Sequence, residues 1–225
     1  MKINVNYIDN ELILEDKKIL NIEIYNKKFF YRFIKDLSLI ENGNNLEEIT
    51  AFNKQNEEIT LTNKIEILSD FLDFDLYNKK YSSDFQKYIV KNSEEKNIDK
   101  IVKEYSKVYD SISNIVNLLD IPITIKNDFD FESIIKSFKF EVNFSDDLLN
   151  NLTDLLEIKL SLSKEKIYVF INLKSYLSNE DLLEFYKYIC SKNINSIFID
   201  TSKYEDFNNY VNKIIIDTDL DEFVI

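Results

Sequence analysis

Residues 3 to 25 alternate apolar and polar positions in the two-residue rhythm of a strand, most clearly over Ile19-Leu20-Asn21-Ile22-Glu23-Ile24. The rhythm then becomes helical, with Phe29, Phe30, Phe33, Ile34 and Leu37 on one broad face. Glu48-Ile49-Thr50-Ala51-Phe52 and Glu58-Ile59-Thr60-Leu61-Thr62 flank the polar Asn53-Lys54-Gln55-Asn56, which predicts a hairpin. A further helical stretch is expected from about Ile65 to Leu72, leading into Asp70, Asp73 and Asp75. In the middle, Ile101, Tyr105, Val108, Ile112, Ile115 and Leu119 recur at alternating spacings of four and three, one stripe along a long helix. Ser145-Asp146-Asp147 suits the start of a second long helix carrying Leu148, Leu152, Leu155, Leu156 and Leu160. A shorter helix is expected from Glu132 to Phe138, and the two long helices are expected to pack antiparallel as a helical projection.

The last third returns to strand and helix. Lys166-Ile167-Tyr168-Val169-Phe170-Ile171 reads as a strand buried on both faces, and Ser178-Asn179-Glu180-Asp181 has capping-box spacing. Ile197-Phe198-Ile199 predicts another strand ending at Asp200, and Ser202 a cap for a short helix before Ile214-Ile215-Ile216. Strands separated by helices imply parallel pairing through right-handed crossovers. The expected fold class is therefore α/β, with a mainly parallel sheet in a discontinuous head (residues 1–76 and 164–225) and an inserted α-helical leg (residues 77–163).

Composition narrows the chemistry. The 225 residues hold one glycine, Gly43, in what reads as a helix-ending turn, whereas phosphate-cradling loops need several glycines. After Ile24, where such a loop would follow its strand, stands Tyr25-Asn26-Lys27-Lys28-Phe29, and Asn172 stands where a magnesium-holding carboxylate would be expected. ATP hydrolysis is excluded on these grounds. There is no histidine, which removes Ser-His and Cys-His catalysis, and the one cysteine, Cys190, falls on an apolar helix face and reads as structural. No apolar run approaches a membrane span, so a cytoplasmic chain is expected. The net charge of -13 disfavours nucleic acid as a whole-chain partner, yet Lys17-Lys18 and Lys27-Lys28 are local basic pairs.

Two groups of residues are candidate sites. In Asn127-Asp128-Phe129-Asp130-Phe131-Glu132 an extended backbone would aim three carboxylates one way, as a calcium ion requires; the same residues also suit the cap of the helix that follows. Lys17, Lys18, Lys27 and Lys28 suit phosphate contacts and equally suit an ordinary solvated surface. A magnesium-dependent nuclease built on Asp128–Glu132 is a weaker reading, since no lysine motif of nuclease type accompanies the acids.

The unit Ile167-Tyr168-Val169-Phe170-Ile171-Asn172-Leu173-Lys174-Ser175-Tyr176-Leu177-Ser178-Asn179-Glu180-Asp181-Leu182 resembles the Csn-two family, the type II-A CRISPR-associated proteins needed to acquire new spacers. Asp70-Phe71-Leu72-Asp73-Phe74-Asp75 and the helix, acidic segment, helix order from residue 100 to 162 resemble it too. The resemblance implies a degenerate head related to P-loop ATPases without their nucleotide site, and an α-helical leg. It also implies a homotetrameric ring threading double-stranded DNA, often at ends, with no nuclease or ATPase activity. Calcium would stabilise the ring, its ligands carried over to Asp128, Asp130 and Glu132, and DNA contact to Lys17, Lys18, Lys27 and Lys28. Implied partners are the spacer integrase pair and the RNA-guided effector nuclease. The alternative is a degenerate ATPase-like module that binds only proteins.

Overall fold

The computed structural model describes residues 1–163, 166–204, 207 and 209–225. The chain forms two compact units, one of Met1–Asp73 with Ser145–Ile225 and one of Phe74–Phe144. The larger holds strands β1 (Lys2–Val5), β2 (Leu12–Ile13) and β3 (Ile19–Ile24), helix α1 (Lys27–Glu41), then β4 (Ile49–Phe52), β5 (Glu58–Ile59) and β6 (Ile65–Leu68). The smaller holds α2 (Asp75–Asn92), α3 (Glu95–Asn117) and α4 (Phe131–Ser137). The chain then returns to the larger unit with α5 (Leu148–Leu162), β7 (Ile167–Ile171), α6 (Asn179–Lys192), β8 (Ser196–Asp200), β9 (Val211–Ile216) and β10 (Glu222–Val224).

A six-stranded sheet orders its strands β10-β9-β3-β8-β7-β6, all parallel except the antiparallel edge strand β10. The expected mixed α/β class with a mainly parallel sheet is therefore observed. A second, antiparallel sheet runs β2-β1-β4-β5, and its β4–β5 pair, Ala51 opposite Ile59, is the expected hairpin. Every residue of β3 is buried, because helices cover both faces. Successive strand residues point to opposite faces. Val169, Ile197 and Ile199 accordingly join the core that holds Phe33 and Leu37 of α1. Phe170 and Phe198 instead meet Phe185 of α6, with ring centroids 5.4 and 6.2 Å apart. Gly43 lies just past the C-cap of α1 at φ +95°, the left-handed position only glycine takes freely, and its amide donates to the Ile40 carbonyl. Cys190 is buried, as expected, and burial pushes its thiol pKa up.

Several expectations are corrected. Ile65–Leu68 is a strand, because a four-residue apolar run with a slot beside β7 gains a parallel ladder, Ile65 opposite Ile167, instead of a single helical turn. The second long helix, α5, is indeed capped by Asp147, which accepts from the Asn150 amide at 2.7 Å, but it belongs to the larger unit. Its Leu152, Leu155 and Leu156 are buried, and Lys159 Nζ lies 2.6 Å from Glu66 Oε1 on β6. α5 thus packs within the head, and the helical unit is Phe74–Phe144, where 77–163 was expected; Lys164, where the head was expected to resume, lies outside the described residues. The short helix expected after Ser202 falls on a stretch in which Glu205, Asp206 and Asn208 lie outside the described residues. Finally, α2 and β10 had no counterpart in the sequence reading.

In the helical unit α4 packs on α2, with Gln86 Nε2 donating to the carbonyls of Lys136 and Phe138 at 3.3 and 3.1 Å. Tyr105 meets Phe129 edge-on, ring centroids 5.1 Å apart. No residue of α3 is fully buried. No helix among the described residues is long and apolar enough to cross a membrane.

Candidate nucleic-acid interface

Helix α1 turns one face into the core, through Phe29, Phe33, Leu37 and Ile40, and leaves the other in water. The watered face carries Lys27, Lys28, Tyr31, Arg32 and Lys35, all exposed and spaced one, three or four apart so that they share one side. No ion pair engages Lys27, Lys28 or Lys35 among the described residues. Arg32 is held from behind: its guanidinium sits 3.9 Å over the Tyr7 ring and 3.9 Å from Asp36 Oδ2. Tyr7 in turn donates its hydroxyl to Asp36 at 2.5 Å, and burial, helped by that carboxylate, raises the phenol pKa. The result is a preset guanidinium within a lysine face. Sequence reasoning found Lys27 and Lys28 and missed Tyr31, Arg32 and Lys35. A signal existed, since Arg32 is the only arginine in a lysine-rich chain.

The other lysine pair stands apart. Lys17 and Lys18 precede β3 and Lys27 and Lys28 follow it, so a six-residue strand of about 20 Å separates them. The Lys17 amide donates to Asn193 Oδ1 at 2.8 Å, and Lys18 Nζ donates to the Asn209 carbonyl at 2.8 Å. The structure does not gather the four lysines into one site.

The carboxyl edge of the parallel sheet, where open α/β sheets hold ligands, is filled from within. Glu23, the last residue but one of β3, is fully buried, 2.7 Å from Lys213 Nζ, and accepts from the Tyr25 hydroxyl and the Tyr204 amide at 2.7 and 3.1 Å. Asp200, the strand-tip acid, is equally buried, with Lys174 Nζ at 3.5 Å. Asn172, left-handed at φ 53°, accepts from the Thr201 amide and hydroxyl at 3.0 and 3.2 Å. Asn26 caps α1 by accepting from the Lys28 and Phe29 amides, each at 3.1 Å, so its side chain takes the place an anion would occupy.

The acidic row divides its work. Asp130 caps α4, accepting from the amides of Glu132 and Ser133 at 3.2 and 3.1 Å and from the Ser133 hydroxyl. Glu132 lies 2.6 Å from Lys136, one helical turn on, and Asp128 is exposed. Among the described residues no three acids converge on one position. The Ser133 hydroxyl bond, then the amide bonds, hold the Asp130 carboxyl below its ordinary value of 3.8. Its contribution is therefore complete above that value and lost as pH falls through the depressed folded-state value. Protection of the Glu132 and Ser133 amides, taken as exchange relative to the intrinsic rate at each pH, should fall between about pH 6 and about pH 3, and Asp130→Asn should keep the cap while removing that pH dependence.

Together these features define a class: an α/β protein whose ligand edge is closed by internal ion pairs and whose α1 carries an exposed basic face. A family model described as CRISPR-associated protein (Cas_Csn2) matches residues 42–220. The chain belongs to that CRISPR-associated family. No curated protein matches the chain. The match begins one residue after α1 ends, so the basic face is an observation independent of it.

Proposed function

We propose that this chain is a non-catalytic protein of the cytoplasm that binds double-stranded DNA, particularly at ends, as a homotetrameric ring during CRISPR spacer acquisition. Its partners there would be the spacer integrase pair and the RNA-guided effector nuclease. Family membership supports the CRISPR setting. The observation that carries DNA binding is the α1 face, four cations on one side of one helix in a chain of net charge -13. Charge of one sign concentrated against an opposite background is how a protein attracts a phosphate backbone without precipitating on it. Contacts of this kind are uniform along the duplex, which suits a sliding clamp.

Absence of catalysis is supported by the closed sheet edge, where Glu23 and Asp200 already face lysines of the same chain. Self-association is supported by the exposed stripe of Val108, Ile112 and Ile115 on α3, with Leu119 exposed just beyond its end. The same stripe would serve a module that binds only other proteins, the second reading. Calcium is not part of the proposal, because Asp130 and Glu132 are engaged separately.

Gel shifts with linear duplex across a salt series, beside light scattering, separate the readings. DNA binding that weakens steeply from about 50 to about 200 mM salt, with a particle of fourfold chain mass, is the expected result. A tetramer that shifts no duplex even at low salt would leave the protein-binding module.

A further inference from the structure

Tyr31 lies at the centre of the basic face of α1 and is 68% exposed, the most exposed tyrosine among the described residues. A phenol ring left in water on a helix contributes nothing to the core, and the buried face of α1 is already complete without it. Its neighbours on the same side are Lys27, Lys28, Arg32 and Lys35. Cations that follow a phosphate backbone, with an aromatic ring between them, form the two-part arrangement by which proteins hold unpaired nucleotides. The cations bind the backbone, and the ring stacks on a base.

We infer that Tyr31 is a base-stacking platform, so the substrate class favoured by this face is duplex DNA with a single-stranded overhang. The inference rests on the DNA-binding reading above and adds which form of end is preferred. In the interior of a duplex each base is covered on both sides by its neighbours, and at a blunt end only the outer face of the terminal, still paired, bases is open. An overhang supplies an unstacked base directly beside the duplex phosphates that the four cations engage. The hydroxyl of Tyr31 is not required for stacking, whereas a phosphate contact through tyrosine would need it.

The test compares a blunt duplex with the same duplex carrying a short thymidine overhang, by fluorescence polarisation at fixed salt. The unaltered protein should bind the overhang form roughly tenfold tighter, within the range a single stacked base provides. Tyr31→Phe should keep that preference. Tyr31→Ala should lose it, the affinity for the overhang form falling to that for the blunt duplex, with far-ultraviolet circular dichroism unchanged because the side chain is exposed. Because the chain has no tryptophan, Tyr31→Trp also installs a single reporter, whose emission should be quenched by the overhang duplex and not by the blunt one. Equal, salt-dependent affinity for both duplexes would overturn the stacking role and leave DNA binding intact. Loss of affinity for both forms in Tyr31→Phe would overturn it in favour of a hydroxyl–phosphate contact. Binding to neither duplex by the unaltered protein would overturn the DNA reading itself.

Discussion

Exchanging Lys27, Lys28, Arg32 and Lys35 together for glutamine is expected to lower affinity for linear duplex DNA by a hundredfold or more at low salt. Each phosphate neutralised contributes about 0.9 to the slope of log affinity against log salt, so four lost contacts should make that slope shallower by about 3 to 4. The four side chains lie on the exposed side of α1, while Phe29, Phe33, Leu37 and Ile40 hold the helix in place. Glutamine is a good helix former, and the far-ultraviolet circular dichroism should be unchanged. Arg32→Gln alone also removes the cation over the Tyr7 ring, so its single-variant effect should exceed that of any one lysine. The contrasting variant is Lys17→Gln with Lys18→Gln, at the other end of β3. Because the Lys18 ammonium already serves the Asn209 carbonyl and both lysines lie at the end of β3 away from the α1 face, a small effect on binding is expected. If the second variant cost more affinity than the first, the interface would have to move to the opposite edge of the sheet.

The largest effect on stability is expected from Lys159→Met. Lys159 and Glu66 are buried, with side chains 1% and 8% exposed, and their charged atoms lie 2.6 Å apart. Removing the lysine leaves a carboxylate in a dry site, a change that costs about 3–5 kcal/mol in buried pairs. That is a large share of the roughly 5–15 kcal/mol that keeps a domain folded. The companion variant Lys159→Met with Glu66→Leu should recover most of the loss, because two apolar residues of similar volume need no solvation. Urea unfolding reads both values. The pair also tests the assignment of α5, because the bond ties that helix to β6. A Lys159→Met chain as stable as the original would mean that α5 is not held against the head by this bond.

Much of the head was legible because its signals are local. The run Ile167–Ile171 announced a strand buried on both faces, and Ser178 does cap α6, accepting from the Asp181 amide at 3.2 Å. Gly43 marked the end of α1. Where local signals were ambiguous, reading failed. Ile65–Leu68 is too short for periodicity to separate strand from helix, and only the vacancy beside β7 decided it. The leucines of α5 announced an apolar face without saying what would cover it, and the cover proved to be the head. The basic site was half legible. Two adjacent lysines stand out in any sequence, whereas Tyr31, Arg32 and Lys35 become a face only once the other side of α1 is known to be buried.

What the sequence determined by itself is what depends on neighbours within a turn or a strand: the α/β alternation, the helix caps, and the absence of a glycine loop able to cradle phosphate. What only the tertiary structure decided is which distant charges meet. Lys159 finds Glu66 across 93 residues, and Lys213 finds Glu23 across the sheet. A charge is buried only where folding brings its partner, and no spacing along the chain encodes that meeting.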